Sequence, residues 1–301
     1  MTRRGRSMLT PYVLLAPFVL VFAIFIAYPL LISLRLSTQQ TFGPEATMNV
    51  GLGNFFFLVR DPLFAKAVIN TLFFTAGSVF IQLPLALGLA LLLNSRLLKG
   101  RAFFRLVFFS PQLVGLVFVG ILAAVVFEKQ VGLLNVGLNA VSPAWDLDFA
   151  WLEVYVMPAL ILAALWMYVG FNMVYFLAAL QNVDRSLVEA ATLDGAGPLG
   201  RFFAVTLPSI APIAGFVTLL SIIGSLQLFE LPWLMLGGGS GAAGAGAGPE
   251  NRGLTIVTYL YLQGFEQGDL GYASAVGWML ALGLIVLAVL YRLISARGEE
   301  A

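Results

Sequence analysis

The stretch EAATLDGAGPLGRFFAVTLPSIAP, residues 189–212, differs in character from the sequence on both sides of it. It contains acids, a base and several glycines and prolines, whereas the flanking residues form long runs of Leu, Val, Phe and Ala. Glycine and proline clusters with polar residues mark turns and loops between regular elements. The stretch therefore indicates a loop between two apolar helices, and the apolar runs around it determine the fold class.

The composition indicates a membrane protein. Of the 301 residues, 60% are hydrophobic and 10% are charged, whereas a soluble domain carries about 25% charged residues. A soluble fold of this length could not bury so much apolar surface, so we expect a lipid bilayer as its main solvent. The chain has no Cys and no His, which excludes thiol catalysis, imidazole acid–base chemistry and the common zinc sites. Its net charge of +1 gives no reason to expect a nucleic-acid partner.

Six apolar stretches are each long enough to cross a bilayer, which takes about 20 predominantly apolar residues. They lie near residues 11–34, 67–94, 103–127, 155–180, 208–234 and 272–295. The sequence therefore predicts an all-α polytopic membrane protein with one transmembrane domain over residues 1–301. Its core is 67–295, and residues 1–66 are an N-terminal anchor helix and an outer loop. Prolines within or at the ends of these stretches are expected to kink the helices.

The basic residues predict the orientation, because cytoplasmic loops carry an excess of Lys and Arg. The N-terminus, the 95–105 loop, the 181–207 loop and the C-terminus hold 3, 4, 2 and 2 basic residues, or 11 of the 16. The opposite side holds 5 of the 16: Arg35, Arg60, Lys66, Lys129 and Arg252. Both termini and the loop that contains residues 189–207 are therefore expected in the cytoplasm.

The local pattern of residues 186–198 predicts a short helix, a turn and a second helix start. Ser186 followed three residues later by Glu189 fits a capping box, and Gly195 is able to end the helix in a left-handed conformation. Pro198 suits the first position of the next helix. The small Ala190 and Ala191 give the first helix a narrow surface, which permits close approach by a groove of another protein. The alternative is an ordinary amphipathic connector between two spans.

The same stretch resembles the EAA loop of binding-protein-dependent ABC importer permeases. Its anchors are Glu189-Ala190-Ala191, Asp194-Gly195-Ala196 and Leu207-Pro208. Other stretches are similar to the sugar-permease branch of that family: LGNFFFLVRDPLFAKAVINT (52–71), LLKGRAFFR (97–105), YFLAALQNVDRSLVEAA (175–191), SLQLFELPWLMLGGG (225–239) and GYASAVGWML (271–280). One departure is a glycine run at 237–249, where the family has a tight outer turn, preceded by Leu236 in place of a Thr.

The resemblance implies a permease subunit that moves a sugar or sugar-like solute, of oligosaccharide or glycerol-phosphate type, across a bacterial or archaeal cytoplasmic membrane. It implies a second related permease, two ATP-binding cassette ATPases and an external solute-binding protein as partners. The implied ATPase-coupling residues are Glu189, Ala190, Ala191, Asp194, Gly195 and Ala196. This chain contains no Walker motif, so the chain itself is expected to be non-catalytic and to bind no cofactor. ATP and Mg²⁺ would be bound by the partner subunits.

Two other functions remain as alternatives. An ion-coupled secondary transporter of a small polar solute needs ionisable groups within the membrane, and only Glu230, near the outer end of the fifth span, qualifies. A membrane-embedded enzyme is disfavoured because the spans contain no His, Cys or paired acids. Copurification of a nucleotide-binding partner would distinguish the importer from both.

Polar and aromatic side chains within the spans are the candidates for the solute path. Asn172, Tyr175, Gln227 and Glu230 are able to hydrogen-bond hydroxyl groups, and Phe229 or Trp233 is able to stack on a sugar ring. The alternative for each is hydrogen bonding between helices or anchoring at the membrane interface. Trp145 and Trp151, in the acidic loop 128–154, suit the headgroup level of the bilayer.

Overall fold

The computed structural model describes residues 3–42, 46–95, 98–130, 132–238 and 246–299. Its elements in chain order are α1 (Arg3–Phe22), α2 (Tyr28–Leu36), β1 (Gln39–Phe42), β2 (Ala46–Asn49), α3 (Gly53–Arg60), α4 (Pro62–Gly77), α5 (Leu83–Asn94), α6 (Arg101–Val114), α7 (Leu116–Val126), α8 (Leu133–Val141), α9 (Trp151–Val154), α10 (Val156–Gln181), α11 (Arg185–Leu193), α12 (Pro198–Arg201), α13 (Leu207–Leu226), α14 (Glu230–Met235), α15 (Ile256–Tyr261) and α16 (Leu270–Glu299). Residues 239–245 of the glycine run lie outside the described ranges.

The described chain forms two compact units. The first comprises Met1–Asp61 with Leu260–Gly283, and the second comprises Pro62–Tyr259 with Leu284–Ala301. The second unit contains the residues 189–212 and most of the candidate solute path.

The helices agree with an all-α membrane fold. Within the described ranges, five helical stretches are long and apolar enough to cross a membrane: Pro11–Leu36, Pro62–Asn94, Val156–Gln181, Pro198–Leu226 and Leu270–Leu293. The expected third span, 103–127, is not one straight helix: α6 and α7 meet there at 100°. Counting this bent pair as one span gives the six that the sequence predicted. Gly115 makes the bend possible, because its φ of +92° is a conformation that side chains rarely adopt.

Three of the prolines in the described spans follow π-helical turns instead of breaks. The π-turns Ala23–Ala27, Ser78–Gln82 and Phe202–Thr206 each end two residues before a proline, namely Pro29, Pro84 and Pro208. A proline cannot donate to the carbonyl four residues back, and its ring crowds that carbonyl. A wider turn relieves this crowding, so the helix continues. The fifth span therefore starts at Pro198 and not at Pro208, and it ends at Leu226 and not at 234.

The helix α10 forms the centre of the second unit. Leu160 and Met173 are fully buried. The apolar residues around Leu160 come from spans 2, 3 and 4 and from α14, and those around Met173 come from spans 2, 4 and 5. Gly170 permits the closest approach: a Cβ at this position would lie 1.8 Å from the carbonyl oxygen of Phe108 on α6. Small residues at such crossings let helix backbones approach each other in a membrane.

The outer loop 128–154 is organised around Asn135. The buried Asn135 side chain donates to the carbonyl oxygens of Leu147 and Phe149 at 3.0 and 2.9 Å. Its Oδ1 accepts from the indole Nε1 atoms of Trp145 and Trp151 at 3.2 and 2.8 Å. The indole N–H groups therefore bind within the loop, and the position of the two rings at the headgroup level stays a prediction.

The first unit contains secondary structure that the sequence did not predict. Within the outer loop 35–66, β1 and β2 form an antiparallel hairpin that pairs Gln39 with Asn49. Asp269, before α16, accepts hydrogen bonds from the Thr41 backbone N–H at 3.2 Å and the Tyr272 backbone N–H at 2.9 Å. The hairpin is thereby attached to the start of the last span.

Candidate functional site

The coupling segment, residues 184–201, begins with a helix cap that differs from the expected one. Asp184 is the N-cap of α11, and its Oδ1 accepts a hydrogen bond from the Ser186 backbone N–H at 2.9 Å. This bond lowers the pKa of the Asp184 carboxyl below its ordinary value. The predicted capping box of Ser186 with Glu189 is therefore wrong, because Asp184 already occupies the cap and Ser186 lies inside the helix.

The C-terminal end of α11 has the conformation that the sequence predicted. Gly195 has a φ of +82°. The Ala196 N–H donates to the Ala191 carbonyl at 2.9 Å, and the Gly195 N–H donates to the Thr192 carbonyl at 3.1 Å. These two bonds are the Schellman pattern of a helix that ends in a left-handed residue. A Cβ on Gly195 would meet no atom within 4 Å, so the backbone conformation is what requires glycine there.

The helix α12 is fixed against α11 by a side-chain bond. It begins at Pro198 after the N-cap Gly197, as the sequence predicted. The Arg201 Nη1 donates to the Thr192 Oγ1 at 2.8 Å. From Arg201 the chain continues through the π-turn into α13 as one span of 29 residues. The coupling segment and the fifth span are therefore joined without a flexible linker.

The surface of the coupling segment is exposed. Glu189, Ala190, Asp194 and Gly195 are exposed, whereas Ala191 and Ala196 are half-buried. Leu193 is 90% exposed, and the other exposed leucines of the segment are Leu187 and Leu199. The exposure of Leu193 was not predicted from the sequence. Its position between the polar residues Thr192 and Asp194, at the end of the helix, was a usable signal.

A groove runs beside this segment. It has a volume of about 660 Å³ and is lined by the ends of spans 2 and 4 and by α11. The polar residues in its lining are Asn94, Gln181, Arg185, Glu189 and Thr206. Glu189 therefore faces the groove, with no role in capping α11.

A second cavity lies between spans 2, 4 and 5. It has a volume of about 150 Å³. Its lining consists of Phe74, Ser78, Gln82, Tyr168, Phe171, Asn172, Leu220, Ser221, Gly224, Ser225 and Leu228. We call it the inter-span pocket. No Asp, Glu, Lys or Arg is among these lining residues.

Two amide side chains of the inter-span pocket lack partners. Gln82 is 3% exposed and Asn172 is 7% exposed, and neither side chain hydrogen-bonds to another residue in the described part of the chain. In contrast, the Oγ atoms of Ser78 and Ser221 share a hydrogen bond of 2.8 Å between spans 2 and 5. The Ser225 Oγ donates to the carbonyl of Ser221 at 2.7 Å.

Comparison with known proteins places this architecture in a family. Residues 82–298 match the family described as binding-protein-dependent transport system inner membrane component. The chain belongs to this family. The match covers the coupling segment and the pocket residues from Gln82 onward, and it agrees with the resemblance of the EAA anchors.

Three curated relatives of this transport family cover most of the chain. The chain is 37% identical to the arabinooligosaccharides transport system permease protein AraP of Halalkalibacterium halodurans, over 93% of this chain and 85% of that protein. It is 34% identical to the lactose transport system permease protein LacF of Rhizobium radiobacter, over 93% and 91%. It is 31% identical to the sn-glycerol-3-phosphate transport system permease protein UgpA of Yersinia pestis, over 93% and 92%.

A solved structure shares the fold of this family member. It is a bacterial ABC transporter involved in the import of the acidic polysaccharide alginate, with a TM-score of 0.81 and 24% sequence identity. The superposition covers 98% of this chain and 99% of that chain.

The other solute-path candidates lie apart from the pocket lining. Tyr175 packs its ring against Phe171 and Phe216, with centroids 5.1 and 6.4 Å away. Phe229 and Trp233 stack on each other at 5.5 Å. Gln227 and Glu230 are exposed at the break between α13 and α14. Only Asn172 of the six candidates lines the pocket, and a role on the solute path stays a prediction for all six.

The break after α13 is fixed by a neighbouring segment. The Thr255 Oγ1 donates to the Leu228 carbonyl at 2.7 Å, and the Asn70 Nδ2 donates to the carbonyls of Asn251 and Leu254, each at 3.0 Å. Since Leu228 also lines the pocket, these bonds hold one end of the pocket in place.

Most of the polar pocket residues were not predicted from the sequence: Ser78, Gln82, Tyr168, Ser221 and Ser225. A signal for them exists in the sequence. Ser78 and Gln82, and likewise Ser221 and Ser225, are spaced by four residues in otherwise apolar spans. That spacing places both polar groups of a pair on one helix face.

Proposed function

We propose that this chain is one membrane-spanning subunit of an ATP-driven importer that carries a sugar or sugar-like solute into the cytoplasm. Its family membership gives the transport role, and AraP and LacF support the sugar class by their stated solutes. The partners are a second related permease, two ATPase subunits and a solute-binding protein. The chain lies in the cytoplasmic membrane with both termini inside, as the 11 to 5 distribution of basic residues indicates.

The observation that carries the coupling role is the exposed, rigid end of α11. Leu193 is 90% exposed, and apolar surface left exposed beside polar residues is a mark of protein–protein contact sites. The partner is an ATPase because this chain has no nucleotide-binding motif of its own. We infer that Leu193 and Ala190 enter a groove of the ATPase, with Asp194 and Gly195 at its edge.

The mechanism follows from the connection between the coupling segment and the fifth span. Closure of the ATPase pair around ATP displaces α11, and the bond between Arg201 and Thr192 transfers this displacement to α12. Since α12 continues into α13, the displacement reaches Ser221 and Ser225 of the inter-span pocket. The pocket is thereby opened to one side of the membrane or to the other.

An ion-coupled transporter has less support. Its pocket would hold an ionisable group that binds the coupling ion, whereas no Asp, Glu, Lys or Arg lines the inter-span pocket. Glu230 is exposed at the end of the fifth span and does not line that pocket.

The test is copurification of the ATPase with variants of the exposed leucine. Leu193→Asp is expected to abolish copurification of the ATPase and solute-stimulated ATP hydrolysis, because a charge would enter an apolar groove. Val141→Asp is the matched control: Val141 is 87% exposed on α8, which the topology places outside. Normal copurification and transport with Leu193→Asp would refute the coupling role, and loss with Val141→Asp would show a nonspecific effect.

A further inference from the structure

The inter-span pocket is lined by polar and apolar side chains and by no Asp, Glu, Lys or Arg. We propose that it binds the hydroxyl groups of an uncharged sugar through Gln82 and Asn172, and that it rejects phosphorylated and acidic solutes. This inference rests on the proposed function and narrows its solute class. It assigns Gln82, on the π-turn of the second span, as a specificity-determining residue together with Asn172.

The unpartnered amides are the first step of the argument. Leaving a buried polar group without a hydrogen bond costs about 1–3 kcal/mol, so the polar atoms of a mostly buried amide that makes no bond to the protein are expected to reach a cavity. The buried, unpartnered side-chain atoms of the described chain are Arg105 Nε and Gln112 Oε1, on α6. The amide atoms of Gln82 and Asn172 do not belong to this fully buried set, and both side chains line the pocket. Their free hydrogen-bonding capacity therefore faces the pocket.

The kind of group that fits follows from amide chemistry. Each amide offers two N–H donors and a carbonyl acceptor. A hydroxyl group both donates and accepts, so one hydroxyl satisfies either end of an amide. A phosphate or carboxylate only accepts, and it would leave both amide oxygens without a donor.

The lack of cationic side chains in the pocket lining also disfavours phosphate and carboxylate groups. A buried anion needs a paired cation or a metal, because removal from water costs several kcal/mol per ion. The pocket has no Lys or Arg in its lining, so nothing there would stabilise an anion. The aromatic rings of Phe74, Tyr168 and Phe171 instead give apolar surface for the C–H faces of a sugar ring. Small-molecule sites share this composition, mostly apolar with a few placed polar groups, and the volume of about 150 Å³ provides space for one part of a solute.

The inference separates two groups of relatives. AraP and LacF are named for arabinooligosaccharides and lactose, which carry no charge, whereas UgpA is named for sn-glycerol-3-phosphate. The pocket predicts that this chain works with solutes of the first group.

The experiment measures solute binding to the purified permease–ATPase complex in nanodiscs, without the binding protein. Weak binding is detected by saturation-transfer-difference NMR. The neutral probes are lactose and arabinotriose, and the anionic probe is sn-glycerol-3-phosphate. The wild-type complex is expected to bind both neutral probes at least about tenfold more tightly than the anionic one. Equal or tighter binding of sn-glycerol-3-phosphate, or no binding of either neutral probe, would overturn the inference.

Variants test the two amides. Gln82→Leu and Asn172→Leu are each expected to weaken binding of lactose about tenfold, the usual effect of one lost hydrogen bond to a buried group. Gln112→Leu is the matched control, because its Oε1 is also buried without a partner but it does not line the pocket. Unchanged lactose binding in Gln82→Leu, or an equal loss in Gln112→Leu, would contradict the assignment. ATPase copurification is measured in parallel and tests the proposed function separately. The comparison of neutral and anionic probes on the wild-type complex does not depend on whether the variants fold.

Discussion

Arg201 on α12 donates a hydrogen bond of 2.8 Å to the hydroxyl oxygen of Thr192, the residue before the last of α11. The two residues lie on either side of the turn at Gly195, so their bond fixes the angle between the exposed helix and the start of the fifth span. The Thr192 hydroxyl in turn donates to the Val188 carbonyl at 2.7 Å, which orients its oxygen toward Arg201. A rigid corner of this kind transmits a displacement, whereas a flexible one absorbs it.

Breaking this bond is expected to reduce coupling more than assembly. Arg201→Ala and Thr192→Val should each lower solute transport per ATP hydrolysed about two- to fivefold, the range of a modest net hydrogen bond. ATPase copurification should remain normal. The double variant is expected to be no worse than either single one, because both remove the same interaction. Transport and ATP hydrolysis in proteoliposomes give the measurement, and additive losses would contradict the link.

The Asp184 side chain is expected to stabilise α11 as its N-cap, whereas the Ser186 side chain is not expected to contribute to the cap. Because the bond to the Ser186 N–H lowers the Asp184 pKa, the charged carboxylate contributes stability above its unfolded pKa of about 3.9. This contribution is lost as the pH falls through the lower pKa of the folded state. Near neutral pH, Asp184→Ala should accelerate hydrogen exchange at the first turn of α11, and Asp184→Asn should largely preserve protection. Ser186→Ala should leave hydrogen exchange unchanged. If it accelerates exchange as much as Asp184→Ala does, the capping box of Ser186 with Glu189 is present after all.

Gly195 is expected to tolerate few side chains. At a φ of +82°, Gly195→Val should cost about 1–2 kcal/mol and misdirect α12, so that ATPase copurification and transport fall together. Gly195→Asn should be milder, because Asn visits the left-handed region. Gly197→Ala is the matched control: Gly197 has a φ of −68° and open space around its Cβ position. Normal copurification and transport in Gly195→Val would mean that the turn is only a connector.

Some features were predictable because a single residue type determines them. Gly195 and Pro198 predicted the turn and the second helix start, since few other residues suit those conformations. The N-cap was not decidable in the same way, because Asp184 and Ser186 are both good caps and lie two residues apart. The structure favours Asp184, which follows directly from the turn that ends α10.

The bend in the third span and the inter-span pocket could not be predicted from the sequence, for other reasons. Gly115 permits a φ of +92° but does not require it, so an apolar run around it predicts one helix. A polar residue in a span, such as Gln82, fits a bond between helices as well as a cavity. Only the packing of spans 2, 4 and 5 distinguishes the two, and that packing depends on contacts distant in sequence.

The orientation of the chain is testable directly. Reporter fusions at residue 190 are expected to report a cytoplasmic location, and fusions at residue 140, in α8, an external one, because 11 of the 16 basic residues lie on the side of residue 190. A phosphatase reporter that is active outside and a fluorescent reporter that is active inside give complementary signals. An external signal at residue 190 would place the coupling segment on the side of the membrane opposite the ATPases and would refute the coupling role.

The closest helix contact of the second unit depends on Gly170. A Cβ there would lie 1.8 Å from the Phe108 carbonyl oxygen, far inside contact distance, so Gly170→Ala must separate α6 from α10. Overpacking of this kind costs about 1–3 kcal/mol, and the melting temperature of the solubilised protein should fall by about 2–12 °C. Gly88→Ala on α5 is the matched control, because its Cβ position is open and Ala is favoured over Gly inside a helix by about 0.5–1 kcal/mol. The melting temperature of Gly88→Ala should stay constant or rise. If Gly170→Ala melts at the wild-type temperature, α6 does not pack on α10 as the structure describes.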